Sequence, residues 1–229
     1  MTTLRLLDLF AGAGGAAMGY RRAGFDVVGV DINPQPNYPF EFYQGDAIHY
    51  LAEHWREFDA VHASPPCQRY SAMTACRPGL ADEYPDLIAP VRNLLELTGL
   101  PYVLENVARS PLRPDLTLCG QMFGLPLYRH RVFEASFFMW QPEHPRHTVP
   151  GSKAGHWTPG HIISVSGNCS PIALAREAMG INWTTRHELA ESIPPVYTEH
   201  VGTQLRAHIE QGACRMTSLP TLTQVGDPA

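Results

Sequence analysis

The sequence has no apolar run approaching the ~20 residues that cross a bilayer, no internal repeat and no CxxC pair. These absences exclude a membrane-spanning helix, a repeat architecture, and both a zinc ribbon and a redox dithiol. The apolar N-terminal stretch is short and carries Asp8, so it does not read as a signal peptide. Cys67, Cys76, Cys119, Cys169 and Cys214 are therefore expected to stay reduced, in the cytoplasm. Charged residues make up 17% against 44% hydrophobic, an ordinary globular balance that excludes a disordered chain. At 229 residues the chain suits one α/β domain with a small appendage, or two small domains at most.

Positive charge is also lacking, since the net charge is −5. Divided along the chain, residues 1–108 carry −6, residues 109–161 carry +3 with five histidines, and residues 162–229 carry −2. The middle segment is the candidate phosphate-facing surface, with Arg109, Arg113, Arg146 and Lys153 as contacts, because clustered charge matters more than the total. A solvated basic loop fits the same numbers.

What is present is an alternation of strands and helices. Leu4–Phe10, Val27–Val30, Asp59–Ala63 and Pro101–Leu104 read as buried strands, and Ala16–Ala23 and Leu87–Leu97 as helices. Such alternation implies right-handed crossovers and a mainly parallel, doubly wound sheet. Residues 138–170 break the pattern with prolines and glycines, and Trp140 and Trp157 are expected to pack this insert. Helical character returns at Ile172–Met179. Thr185 and Glu188 have capping-box spacing. A last helix begins at Pro195, with Gly212 as its stop.

Gly12, Asp31, Cys67 and Glu105 fall at the carboxyl ends of expected strands, the edge where ligands collect in open α/β sheets. The loop Phe10-Ala11-Gly12-Ala13-Gly14-Gly15 allows close backbone approach to a ligand, and Asp31 is spaced for ribose hydroxyls. This pair of features suits a dinucleotide equally well. Ser64-Pro65-Pro66-Cys67-Gln68 stiffens the backbone before a thiol, which a merely structural cysteine does not need. A nucleophilic role would require stabilisation of the thiolate. Glu105, if shielded by its neighbours, becomes a proton donor near neutral pH. Arg129 and Arg131, two apart on a strand, would present two forks on one side to carbonyl or phosphate oxygens.

Taken in order, these residues resemble the DNA cytosine-5 methyltransferase family over most of residues 4–209. Asp8 to Gly15 looks like its cofactor loop, Pro65-Pro66-Cys67-Gln68 its nucleophile loop, and Glu105-Asn106-Val107 its catalytic glutamate motif. Arg129-His130-Arg131 is similar to its spaced arginines and Gly45-Asp46 to its adenine-contacting motif. Tyr197 to Leu205 is similar to the C-terminal motif that completes the cofactor site. The chain departs from the family in having Gly202-Thr203 where Gly-Asn is usual, and Leu127-Tyr128 where Pro-Gln is usual.

The resemblance implies a Rossmann-like S-adenosylmethionine-dependent methyltransferase fold. Its catalytic domain would span 1–137 and 171–215, with 138–170 as a reduced target-recognition insert and 216–229 as a flexible tail. Cys67, Glu105, Arg131 and Arg129 would be catalytic. Phe10, Ala11, Gly12, Gly14, Gly15, Asp31, Ile32, Asp46, Ala47, Pro66 and Thr203 would hold S-adenosylmethionine and its product S-adenosylhomocysteine. DNA would be the partner, touched also by Gln68. With so short an insert, specificity is low, short-range or supplied by another chain.

Rival readings keep the chemistry on RNA, single-stranded DNA or a free pyrimidine nucleotide, or make the chain a non-catalytic binder. A nicotinamide oxidoreductase would explain the glycine loop but neither Pro66-Cys67 nor Glu105-Asn106. His144, His147, His156 and His161, with Cys169, lack standard zinc spacing, so no metal is expected and the loop histidines are assigned to solvent or phosphate.

Overall fold

The computed structural model describes residues 3–71, 74–153 and 155–217, with side chains to residue 212. Seven strands form one sheet: β1 (Arg5–Leu9), β2 (Asp26–Asp31), β3 (Glu41–Gln44), β4 (Ala60–Ala63), β5 (Tyr102–Asn106), β6 (Leu116–Leu118) and β7 (Arg131–Ala135). Their spatial order is β3-β2-β1-β4-β5-β7-β6. The β3, β2, β1, β4 and β5 strands are mutually parallel, whereas β7 runs antiparallel to both β5 and β6. The chain winds outward from β1 through β2 and β3, then returns to β4 on the other side of β1. That reversal opens a crevice at the carboxyl ends of β1 and β4.

Alternation along the strands builds two cores, one on each face. Leu6, Val27, Ala60 and Val103 point to one side, where α1 (Gly15–Arg22) and α6 (Pro195–Thr217) cover them. Leu7, Val28, Val61 and Leu104 point to the other, under α2 (Ala47–His54) and α3 (Ile88–Thr98). The approach of α6 to α1 depends on Gly19, where a Cβ would collide with the Pro195 carbonyl and the Thr198 hydroxyl. Tyr197, Val201 and Leu205 are fully buried in that seam.

A third, smaller core joins the end of the insert to α4 (Ile172–Met179) and α5 (Arg186–Glu191), with Ile162, Ile163, Val165 and Cys169 packed on Ala175, Met179 and Leu189. It straddles the boundary expected at residue 170. The Thr185–Glu188 capping box forms as expected and starts α5.

The structure differs from the sequence reading in four places. The last helix passes through Gly212 and reaches Thr217, because one interior glycine weakens a helix by only about 1 kcal/mol. Trp140 and Trp157 do not pack the insert; Trp140 is 61% exposed, and Ile162 and Ile163 supply the apolar anchor instead. The short elements β3, β6 and α2 were not anticipated. Of the expected tail, Met216 and Thr217 close α6, and 218–229 lie outside the described residues. Among the described residues no helix is long and apolar enough to cross a membrane.

Candidate active site

A cavity of about 430 Å³ opens at the crevice between β1 and β4. The glycine loop, the end of β2, the Pro-Pro-Cys loop and the end of β5 converge on it from the sheet. Of the residues singled out in the sequence, Phe10, Ala11, Gly12, Gly15, Asp31, Ile32, Pro66, Cys67, Gln68, Glu105 and Arg131 line it.

The glycine loop is held in an unusual shape. Phe10 has φ 58° and Gly12 φ 49°, both left-handed. For a bulky residue such as Phe10 this is an outlier, the kind of strain that persists only where the surroundings enforce it. Asp31 supplies part of that enforcement: its Oδ2 accepts from Gly12 N at 3.1 Å and its Oδ1 from Asn33 N at 2.9 Å. A Cβ at Gly12 would meet nothing within 4 Å, so that face of the loop is open for a ligand. Ile32 stands beside it, 66% exposed although apolar.

Cys67 follows β4 and opens a short 3-10 turn, Gln68–Tyr70. Asn106, next to Glu105 at the end of β5, donates from Nδ2 to the Pro65 carbonyl at 2.8 Å and so fixes the nucleophile loop to the neighbouring strand. Glu105 lies within β5 rather than past it, and its side chain is almost wholly buried. Arg131 Nε lies 3.0 Å from Glu105 Oε1. Burial pushes the Glu105 carboxyl up from its ordinary range, against opposing pulls from Arg131, a Ser64 hydrogen bond and Arg129. The expected shielding is therefore present. Burial also pushes the Cys67 thiol up, with Arg131 and Arg129 favouring its ionisation and Glu105 opposing it. The thiolate stabilisation anticipated from sequence thus comes from two arginines, and burial outweighs it.

Sequence reasoning missed a buried relay behind Glu105. Tyr20 Oη lies 3.0 Å from His62 Nδ1, and His62 Nε2 lies 2.9 Å from Ser64 Oγ. Burial pulls His62 down to about 3, so the ring is neutral. Ser64 donates to the Glu105 carboxylate. The consistent assignment then has the Tyr20 hydroxyl donating to Nδ1 and Nε2–H donating to Ser64. The alternation of β4 carried the only signal for His62, and it reads as an ordinary core position. Asp8, named in the sequence only as the start of the cofactor-loop stretch, also lines the cavity. It is 1% exposed and accepts from Tyr38 Oη at 3.3 Å, while its Oδ1 is buried without a partner. Burial pushes its carboxyl well up from the usual range.

Other expected residues stand elsewhere. Arg129 precedes β7 and does not line the cavity, although its charge reaches Cys67 and Glu105; its guanidinium donates to the carbonyls of Val165 and Ala190 and ties the insert and α5 to the sheet. Burial and the Arg131 charge pull it down to about 9, so it stays cationic at neutral pH. Thr203 faces solvent on α6 and donates to the Glu199 carbonyl, away from the cavity. The wall expected from Tyr197–Leu205 comes from α5 and the turn after it, through Glu188, Ser192 and Ile193, since α6 is occupied in packing on α1. Gly14, Asp46 and Ala47 do not line the cavity, and Asp46 caps α2 by accepting from His49 N at 2.8 Å. Arg113 is turned toward the amino-terminal end of β5, where it pairs with Asp115 and donates to the Ala135 carbonyl. Arg109, Arg146 and Lys153 are exposed. Cys169 is buried in the third core, and His144 and His147 gather on Cys119 and His130.

Residues 4–110 match the family described as C-5 cytosine-specific DNA methylase. The chain is 25% identical over 250 residues to the Type II methyltransferase M1.HphI of Haemophilus parahaemolyticus, covering 85% of this chain and 65% of that one. It is 30% identical over 122 residues to the Type II methyltransferase M.HgiGI of Herpetosiphon aurantiacus, covering 48% of this chain and 94% of the relative. The fold matches the crystal structure of S. pombe Dnmt2 methyltransferase with a TM-score of 0.57 at 15% identity, over 91% of this chain and 99% of that one.

Proposed function

This chain belongs to the C-5 cytosine-specific DNA methylase family, and we propose that it transfers a methyl group from S-adenosylmethionine to carbon 5 of cytosine in DNA. One observation carries the reading: Cys67, Glu105 and Arg131 converge in a cavity whose other end is the open glycine loop. A nucleophile, a shielded acid and a cation in one pocket are what carbon 5 methylation needs, because that carbon is a poor nucleophile until the ring is activated.

The thiolate of Cys67 adds to carbon 6 and breaks the ring's aromaticity. Glu105 in its protonated form donates to N3, where negative charge develops. Arg131 holds the O2 carbonyl through the same change. Carbon 5 is thereby made enamine-like. After methylation, loss of the carbon 5 proton to a base expels Cys67 and restores the ring. Arg129 is a positioning residue in this scheme, through its ties to Val165 and Ala190. The target base must leave the duplex to reach Cys67, at a cost of a few kcal/mol.

The cavity suits S-adenosylmethionine on three grounds. The open face of Gly12 lets the cofactor approach the loop backbone closely, the bare Ile32 offers an apolar surface for a flat base, and the orphaned Asp8 Oδ1 awaits a donor. Asp31 would take ribose hydroxyls. When bound, this group supplies the electrophilic methyl and leaves as S-adenosylhomocysteine. The catalytic domain is 1–137 with 171–215, working in the cytoplasm, and 138–170 is a reduced DNA-facing insert that reads few bases.

Incubation with radiolabelled S-adenosylmethionine and duplex DNA, single-stranded DNA, tRNA or dCMP tests the proposal. Label should enter the duplex as 5-methylcytosine. Preferential labelling of another substrate would keep the chemistry and overturn DNA duplex as the target.

A further inference from the structure

Away from the cavity, four soft donors meet that no part of the methyl-transfer chemistry uses. Cys119 follows β6, His130 precedes β7, and His144 and His147 come from the insert. Their ligand atoms all lie within 4.8 Å of one another. Cys119 Sγ is 3.3 Å from His147 Nε2, and His130 Nε2 is 3.1 Å from His144 Nε2.

We propose that Cys119, His130, His144 and His147 form a structural zinc site that staples the insert to the edge of the catalytic sheet. Zinc takes four ligands tetrahedrally, with Zn–S about 2.3 Å and Zn–N about 2.0 Å. The edges of that tetrahedron are about 3.5 Å between sulfur and nitrogen and about 3.3 Å between nitrogens. The two short separations in the cluster are within a few tenths of an ångström of these values. His144 and His147 are exposed, so small side-chain rotations can close the remaining gaps without disturbing a core.

The donor set itself points to a metal. One thiolate and three imidazoles suit a borderline-soft cation such as zinc, and filling all four positions leaves none open for catalysis. Binding would expel the Cys119 proton to solvent and satisfy a sulfur that is otherwise fully buried. Tyr128 stacks on His147, ring centroids 3.7 Å apart, and holds that ligand in place. Cys119, His130 and the His144–His147 pair are more than ten residues from one another, so the fold brings them together.

The consequence for the site is local. His130 stands between Arg129 and Arg131, and Arg131 Nη1 donates to the His130 carbonyl at 2.9 Å. A metal on His130 fixes the segment that presents Arg131 to Glu105, and fixes the insert to that same segment.

The test is the metal content of the full chain, purified from zinc-supplemented culture and dialysed against metal-free buffer. Elemental mass spectrometry should find about one zinc per chain, lost in His144→Ala/His147→Ala, whose positions are exposed enough to keep the fold. Cobalt substituted for zinc should show a thiolate charge-transfer band and tetrahedral d–d bands, with the former lost in Cys119→Ser. A wild-type chain that retains no zinc and shows no saturable binding on titration with zinc chloride would overturn the site. So would zinc content unchanged in the double variant with its circular dichroism intact. Because these readouts do not use methyl transfer, they stand or fall apart from the proposed activity.

Discussion

Arg131 stands against Glu105, Nε 3.0 Å from Oε1, and the same cation favours ionisation of Cys67. One guanidinium thus acts on both groups that must exchange protonation states. The reactive form carries one proton on the pair, on Glu105 and not on Cys67, so kcat/KM should be bell-shaped in pH. Its acid limb belongs to the carboxyl and its alkaline limb to the thiol, both pushed up by burial. Arg131→Met removes a charge that lowers both, so the whole bell should move to higher pH. Its maximum should fall about 10²–10³-fold if Arg131 also holds the O2 carbonyl. A profile of unchanged position would remove Arg131 from this role.

Ser64→Ala separates the two limbs. The Ser64 hydroxyl donates to the Glu105 carboxylate and favours its charged form. Without it the carboxyl is pushed further up, so the acid limb should move to higher pH while the alkaline limb stays in place. The rate loss should be about tenfold, the scale of one hydrogen bond to a charged group. Steady-state rates from pH 5 to pH 10 on one DNA substrate make the comparison.

Cys67→Ser should abolish turnover and leave S-adenosylmethionine affinity nearly unchanged. A serine hydroxyl is far less ionised than a thiol, so addition to carbon 6 fails, while the glycine loop is untouched. Calorimetric titration gives the affinity. DNA carrying 5-fluorocytosine should trap the wild type as a band on a denaturing gel, absent from Cys67→Ala. Turnover by a folded Cys67→Ser would refute the covalent route.

How much of this was legible in the sequence depended on where each side chain's partner lay. Cys67, Glu105 and Asp31 sit at or beside strand ends, and strand ends follow from short apolar runs, so their convergence could be read from one dimension. The relay Tyr20–His62–Ser64 could not, because it joins a helix to a strand across the core, and a histidine on a buried strand carries no pattern of its own. Thr203 and Arg113 show the opposite failure. Motif resemblance suggested Thr203 and clustered charge suggested Arg113, but α6 spends its inner face on α1 and Arg113 is paired with Asp115. The Cys119–His147 cluster was hidden for a third reason. Its ligands come from two segments, the β6–β7 connection and the insert, and no spacing rule spans them.

Away from the site, Arg92 and Glu134 form an ion pair of two hydrogen bonds, at 2.7 and 2.8 Å, with Glu134 only 1% exposed. Arg92→Leu leaves that carboxylate buried without its cation, and should destabilise the fold by about 3 kcal/mol. The pair holds Glu134 below the ordinary carboxylate range. Its contribution is therefore fully present above the unfolded value, near ~4.3, and is lost as pH falls through the folded one. The stability gap between wild type and variant should shrink on acidification from pH 7 to pH 3. Urea denaturation at both pH values checks this, and a constant gap would refute it.

The insert supplies the last prediction. Within 138–170 the charged residues are Glu143, Arg146 and Lys153, and both cations are exposed. Among its described residues the segment forms no helix, and its strand-like pairings are the isolated bridges Gly151–Ile162 and Lys153–His156. A major groove admits a helix or a two-stranded ribbon, so a loop of this kind reaches few base edges. Phosphate contacts, by contrast, need only exposed charge, and they carry little sequence information. Arg146→Ala/Lys153→Ala should therefore weaken binding alike on every duplex. It should flatten the dependence of affinity on salt by about one unit of log–log slope per lost contact. The set of cytosines modified should stay the same. A methylation map on random-sequence duplex, for wild type and the double variant, decides the matter. A wild-type map confined to one long motif would refute this view of the insert, as would a variant that changes its motif while keeping its salt slope.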